Sequence, residues 1–174
     1  MSIGNTSSEN TLNEMRALVN AHVDKWIAAG KYALPDVQEC LEFVAAEAAE
    51  ALQSKLRLNP IYTRNTPRPA TERDSVVELF DTMKMCIVYE RIADVPLAAL
   101  PPQRSDEYKK GLRRIVGFAA KALVALDDNL SADVPVLLGR VYQRAHEIVV
   151  GLGFNPLEIA REKLREMDVK RGFA

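Results

Sequence analysis

The chain of 174 residues carries 23 basic and 24 acidic side chains, and its formal net charge is −1. This balance excludes a general electrostatic attraction to nucleic acid or to an anionic membrane surface, so neither is expected as a partner. With 48% hydrophobic and 27% charged residues, the composition fits one globular domain with a substantial core.

The cysteines and the apolar stretches bear on the compartment. Cys40 and Cys86 show no CxxC spacing, and no secretory leader pattern precedes them, so a reducing, cytoplasmic location is expected. The longest nearly apolar stretch, residues 115–126, is interrupted by Lys121 and is shorter than the roughly 20 residues that span a bilayer. No membrane span is predicted.

The elements are predicted to be helices along the whole chain. Residues 1–11 are polar and predict a flexible tail, and residues 12–174 predict a single all-α domain. Apolar residues recur every three or four positions, and no alternating strand pattern is sustained. The six helices of the predicted bundle span approximately residues 12–30, 34–58, 72–94, 105–127, 133–151 and 156–169. Between the second and third lies a proline-containing basic loop with Arg64, Arg68 and Arg73.

Two acidic pairs stand out in the second and third helices. Glu47 and Glu50 lie among alanines, and Glu78 and Asp81 lie in an otherwise apolar stretch. Residues three apart share one face of a helix, and the small alanine side chains permit another helix to approach closely. The sequence therefore predicts four carboxylates that meet across a helix interface.

Four close carboxylates raise one another's pKa values and oppose folding unless a cation lies between them. All-oxygen ligation favours Mg²⁺, with Mn²⁺ as an alternative, and Mg²⁺ commonly joins carboxylates to substrate phosphates. Two structural alternatives stay open. Glu47 and Glu50 can lie on a solvated helix face, and Lys84, three residues beyond Asp81, can pair with it.

The order of the acidic pairs, separated by a gap of 27 residues that contains the basic loop, resembles the MazG-like all-α nucleoside triphosphate pyrophosphohydrolases. That family's pattern is EExxE followed by ExxD, and the resemblance covers about residues 12–94. It implies a MazG-like four-helix core, a homodimer, and Mg²⁺-dependent attack of water on a nucleoside or deoxynucleoside triphosphate, which yields the monophosphate and pyrophosphate in nucleotide-pool housekeeping. It also implies that the metal ligands are Glu47, Glu50, Glu78 and Asp81, with Glu47 and Glu50 as the catalytic pair.

One position departs from the family's pattern. Ala46 stands where the first glutamate of EExxE is expected, so one family carboxylate is missing. This departure leaves an alternative open, a catalytically inactive MazG-like helical protein that binds nucleotides or mediates protein contacts.

The C-terminal segment, residues 151–173, resembles the family's closing segment. The resemblance suggests Lys163 and Arg171 as partners of the substrate phosphates, with Arg73 of the basic loop as a third, while Asp168 stands where asparagine is common. A solvated basic tail balanced by neighbouring glutamates is the alternative.

The single tryptophan, Trp26, lies on the apolar stripe of the first helix. Base stacking is a candidate role for its ring, and core packing is the alternative. His22, on the same stripe, and His146 are expected to be packing or surface residues.

Overall fold

The computed structural model describes residues 5–58, 71–98 and 108–173, with side chains described from residue 10 onward. Within these ranges the chain forms a bundle of six α-helices and no strand, which confirms the predicted all-α class. The helices are α1 (Asn5–Ala28), α2 (Val37–Arg57), α3 (Glu72–Ala93), α4 (Tyr108–Asp127), α5 (Val134–Gly151) and α6 (Pro156–Lys170), with a 3₁₀ turn at Ser131–Asp133 before α5. None of the described helices is long and apolar enough to cross a membrane.

The first helix begins earlier than predicted. Residues 5–11 were expected in a flexible tail, but α1 starts at Asn5. Polar residues do not by themselves end a helix, because adding residues to a helix that has already formed costs little free energy. The predicted loop residues Arg64 and Arg68 lie outside the described residues.

Local hydrogen bonds explain why α2 and α3 begin where they do. The Asp36 carboxylate accepts from the backbone N–H of Glu39, whose own carboxylate accepts from the backbone N–H of Asp36. Thr71 and Asp74 form the same reciprocal box at the start of α3. Each box satisfies N–H groups that a helix start otherwise leaves unpaired, so the acidic pairs lie on helices with well-defined starts.

Helix α3 is the centre of the bundle. Every residue from Leu79 to Tyr89 is buried, and α2, α5, α6 and α1 all pack against it. On α2, Ala48 and Ala51 are fully buried and allow the close approach expected from the alanine-rich sequence, whereas Ala46 and Ala49 face solvent. Helix α4 packs on α2 and α5 and completes the core on that side.

Helix α6 packs against both α1 and α3. It follows a turn in which Gly153 adopts a left-handed backbone conformation with φ of 82°, which glycine accommodates without strain. The C-terminal segment is thereby returned to the side of α3 that carries Asp81 and Lys84.

Candidate functional site

Three glutamates converge between α2 and α3. Carboxylate oxygens of Glu47, Glu50 and Glu78 all lie within 4.8 Å of one another. The two helices run antiparallel, since the Cys40 thiol donates to the carbonyl of Met85 while Glu47 lies beside Glu78. This register brings the first acidic pair of the sequence to the second.

Burial and mutual repulsion perturb two of these carboxyls. Burial, followed by the negative charge of Asp81, raises the pKa of Glu47 to about 7, although the Lys84 ammonium opposes the shift. Burial and the same aspartate also raise the pKa of Glu78. Burial and then the neighbouring negative charges therefore disfavour the ionised forms of both carboxyls, and a bound cation would offset this cost.

Asp81 lies beside this group but has cationic partners of its own. It is 7% exposed, and its Oδ1 accepts a hydrogen bond of 2.5 Å from Nζ of Lys84, which is 8% exposed. Its Oδ2 lies 3.6 Å from Nζ of Lys163. The pairing with Lys84, left open by the sequence, is therefore present. The predicted quartet consists of three converging glutamates and one aspartate that two lysines contact.

Helix α6 brings Lys163 to this place. The same helix carries Met167, whose Sδ lies 4.0 Å from Nζ of Lys84. Of the three cations predicted to bind the substrate phosphates, Lys163 is therefore the one that lies next to the acidic residues.

The other two predicted phosphate-binding cations have different contacts. Arg73 pairs with Glu162 on the surface between α3 and α6. Arg171 donates a hydrogen bond of 2.7 Å to the carbonyl of Lys31, and its guanidinium lies 4.7 Å from the centroid of the Trp26 ring. These contacts tie elements of the bundle together, and they do not favour a phosphate-binding role in this arrangement.

The tryptophan is a core residue. Trp26 is 1% exposed, and its indole N–H donates a hydrogen bond of 2.6 Å to Oδ1 of Asp168. This burial argues against the base-stacking role, because a ring enclosed by protein offers no face to a nucleotide base.

Asp168 joins α6 to α1. In addition to Trp26 it contacts Lys25 Nζ at 2.9 Å and His22 Nδ1 at 3.3 Å. Burial by itself would raise the pKa of Asp168, but the hydrogen bonds from Lys25, Trp26 and His22 outweigh it and lower this pKa. Sequence reasoning did not find this junction, because the partners lie more than 140 residues apart.

A second feature that sequence reasoning missed is Phe43. Its side chain is 51% exposed, although phenylalanine is normally buried. It precedes Glu47 by four residues and Glu50 by seven, so the three share one face of α2. This spacing was the available signal for an apolar group next to the acidic residues.

Comparison of the chain with protein-family models, with curated proteins and with solved structures finds no match. The MazG-like resemblance therefore rests on the spacing of the acidic pairs and on helix order, and it stays a hypothesis.

Proposed function

We propose that this protein is an Mg²⁺-dependent nucleoside triphosphate pyrophosphohydrolase that releases pyrophosphate and a nucleoside or deoxynucleoside monophosphate. The observation that carries the proposal is the convergence of Glu47, Glu50 and Glu78, from two helices, beside a buried aspartate and the ammonium group of Lys163. Two carboxylates three residues apart are common on solvated helices. Half-buried carboxyls with raised pKa values, such as Glu47 and Glu78, are less common and are typical of functional sites.

The donor set fits Mg²⁺, and it also accepts Mn²⁺. Glu47, Glu50 and Glu78 supply only oxygen ligands, and a small set of carboxylates leaves coordination positions for water and for substrate phosphates. When bound, the ion would orient the triphosphate and offset the charge on its oxygens.

Glu47 is suited to act as the general base. Its carboxylate lies within 4.8 Å of those of Glu50 and Glu78, so a water that reacts beside a bound ion would have this oxygen within reach as a proton acceptor. In the proposed reaction, the water oxygen bonds to the α-phosphorus, the bond from that phosphorus to the bridging oxygen breaks, and pyrophosphate leaves while the proton passes to Glu47. Glu50, on the same face of α2, would help to orient the water, and Lys163 would offset charge on the outer phosphates.

Direct attack by water is favoured over a covalent cysteine intermediate. Burial raises the pKa of Cys40 to about 12 and that of Cys86 well above its ordinary value, so neither thiol is a nucleophilic thiolate at neutral pH.

A second candidate function follows from one position. Ala46 is exposed on α2 at the position where the MazG-like pattern has its first glutamate, so the carboxylate of that glutamate is missing here. A catalytically inactive protein of the same architecture, which binds nucleotides or mediates protein contacts, is the alternative that this position favours.

Pyrophosphate release from a panel of canonical and modified nucleoside triphosphates, with and without Mg²⁺, tests the proposal. We expect metal-dependent release that falls by at least about 100-fold in Glu47→Gln, because a general base typically contributes that much or more. Glu42→Gln is the matched control, since Glu42 is an exposed glutamate of the same helix that contacts Gln38.

The outcomes separate the two candidates. Absence of release from every triphosphate, together with binding of Mg²⁺, would support the inactive protein. Absence of both release and metal binding would remove the enzyme proposal altogether. Equal losses in Glu47→Gln and Glu42→Gln would show that the acidic group is not the site.

A further inference from the structure

A buried ammonium group lies within the candidate metal centre. Lys84 is 8% exposed and follows Asp81 by one helical turn on α3. A buried lysine is costly unless a counter-ion accompanies it. The 2.5 Å contact between its Nζ and Oδ1 of Asp81 supplies that counter-ion.

The charges of the centre match one divalent cation. Glu47, Glu50, Glu78 and Asp81 bear four negative charges when they are all ionised, and the ammonium groups near Asp81 bear two positive charges. Two negative charges then remain, which one divalent cation neutralises. A second divalent ion would add positive charge that the centre does not balance. It would also be repelled by the Lys84 ammonium, because water screens charges weakly at a buried position.

Asp81 lies beside the three glutamates but does not belong to their mutually close set. Oxygens of Glu47, Glu50 and Glu78 lie within 4.8 Å of one another, and this mutually close set does not include Asp81. Both oxygens of Asp81 face lysine ammonium groups instead. Lys163 is farther from Asp81 than Lys84 is and more exposed, so the buried Lys84 is the more effective of the two charges.

We propose that Lys84 is an internal cation that takes the place of a second divalent ion, so that the centre binds one ion per chain, on Glu47, Glu50 and Glu78, while Asp81 serves as the counter-ion of Lys84. This inference rests on the metal centre of the proposed function. It assigns a positioning and charge-setting role to Lys84, and it removes Asp81 from the ligand set that the resemblance implies.

Titration of the metal-free 174-residue chain with Mn²⁺, followed by electron paramagnetic resonance of the free ion, measures the number of sites and their affinity. The wild-type chain is expected to bind one Mn²⁺. Lys84→Gln removes the charge but keeps a donor for Asp81, and it is expected to bind Mn²⁺ about tenfold more tightly or to take up a second ion. Lys121→Gln, at an exposed position of α4, is the matched control and should behave as wild type.

A reciprocal pair of variants distinguishes a counter-ion from a ligand. Asp81→Asn leaves Lys84 uncompensated, and we expect it to weaken Mn²⁺ binding about tenfold or more. The double variant Asp81→Asn with Lys84→Gln removes one charge of each sign, and its affinity should return to within about threefold of wild type. If Asp81 is a ligand, the double variant will remain far weaker than wild type, and the inference is wrong.

The number of ions bound by the wild-type chain and the effect of Lys84→Gln also test the inference. Two ions bound by the wild-type chain, or unchanged binding in Lys84→Gln, would overturn the inference and leave the proposed metal centre intact. Absence of Mn²⁺ binding in the wild-type chain would remove both. The double variant lacks both members of the buried ion pair, so it leaves no unpaired buried charge and keeps the inference testable if Lys84→Gln does not fold.

Discussion

At the scale of single residues, Glu47 shows how a candidate functional group opposes folding. Its carboxyl is half-buried, and burial together with the negative charge of Asp81 disfavours its ionised form. An unfolded chain removes both effects, so the folded state holds the Glu47 proton more tightly than the unfolded state does. Glu47 therefore makes the stability of the metal-free protein depend on pH.

The sign of this dependence follows from the two pKa values. The folded value, about 7, lies above the ordinary value of 4.5, so the stabilisation is complete below pH 4.5 and is lost as the pH rises through 7. We expect Glu47 to cost the metal-free protein about 1–2 kcal/mol by pH 8, after allowance for solvent screening at a half-buried site. Glu47→Gln should not show this loss.

Urea unfolding in the presence of a chelator, at pH 5 and at pH 8, measures the effect. Glu42→Gln should follow the wild-type curve, because Glu42 is exposed, contacts Gln38 and is not one of the three converging glutamates. If wild type and Glu47→Gln lose the same stability between the two pH values, Glu47 does not have the raised pKa that this argument requires.

At the scale of the helices, one buried aspartate joins the last helix to the first. Asp168 of α6 accepts hydrogen bonds from Trp26 and Lys25 of α1, and its neighbour in sequence, Met167, reaches Lys84 of α3. The position of α6, and with it the position of Lys163, thus depends on contacts with two other helices.

Removal of the Asp168 carboxylate should loosen this junction. Asp168→Ala leaves the buried indole N–H of Trp26 without its acceptor, and we expect a loss of about 2–3 kcal/mol in the free energy of unfolding. Asp168→Asn keeps an oxygen acceptor at nearly the same place and should cost about 1 kcal/mol less. Urea unfolding at pH 7 measures both variants. Equal losses in the two variants would mean that charge, and not the indole hydrogen bond, holds α6.

At the scale of the whole molecule, folding is what assembles the proposed metal centre. Glu47 and Glu50 come from α2, whereas Glu78 comes from α3, so an unfolded chain does not hold the three carboxylates together. A ligand that binds only the native state stabilises it. The homodimer implied by the resemblance is a separate proposal at this scale, and sedimentation equilibrium tests it.

Mg²⁺ should therefore raise the melting temperature. At about 100 times its dissociation constant, a ligand of the native state adds about 2.7 kcal/mol, which corresponds to a rise of about 5–10 °C for a domain of this size. Differential scanning calorimetry with and without Mg²⁺ measures the shift, which Glu50→Gln should largely abolish and Glu42→Gln should retain. An equal shift in all three proteins would indicate a general effect of ionic strength.

The elements of this fold were largely predictable because their signals are local. The start of α2 is encoded by Asp36 and Glu39, and residues three apart on a helix place Glu47 with Glu50 whatever the rest of the chain does. The start of α1 was predicted at residue 12 and lies at Asn5, because residues 5–11 lack the apolar period that was used to place the helix.

What the sequence by itself determined is the set of helices and the face on which each acidic pair lies, because both depend on neighbours within about one helical turn. The register between α2 and α3 decided that Glu47, Glu50 and Glu78 converge, and the return of α6 decided that Lys163 contacts Asp81. Likewise, Trp26 meets Asp168 only through tertiary packing. Such contacts join residues far apart in the chain, and helical periodicity specifies which face a residue occupies but not which partner packs against that face.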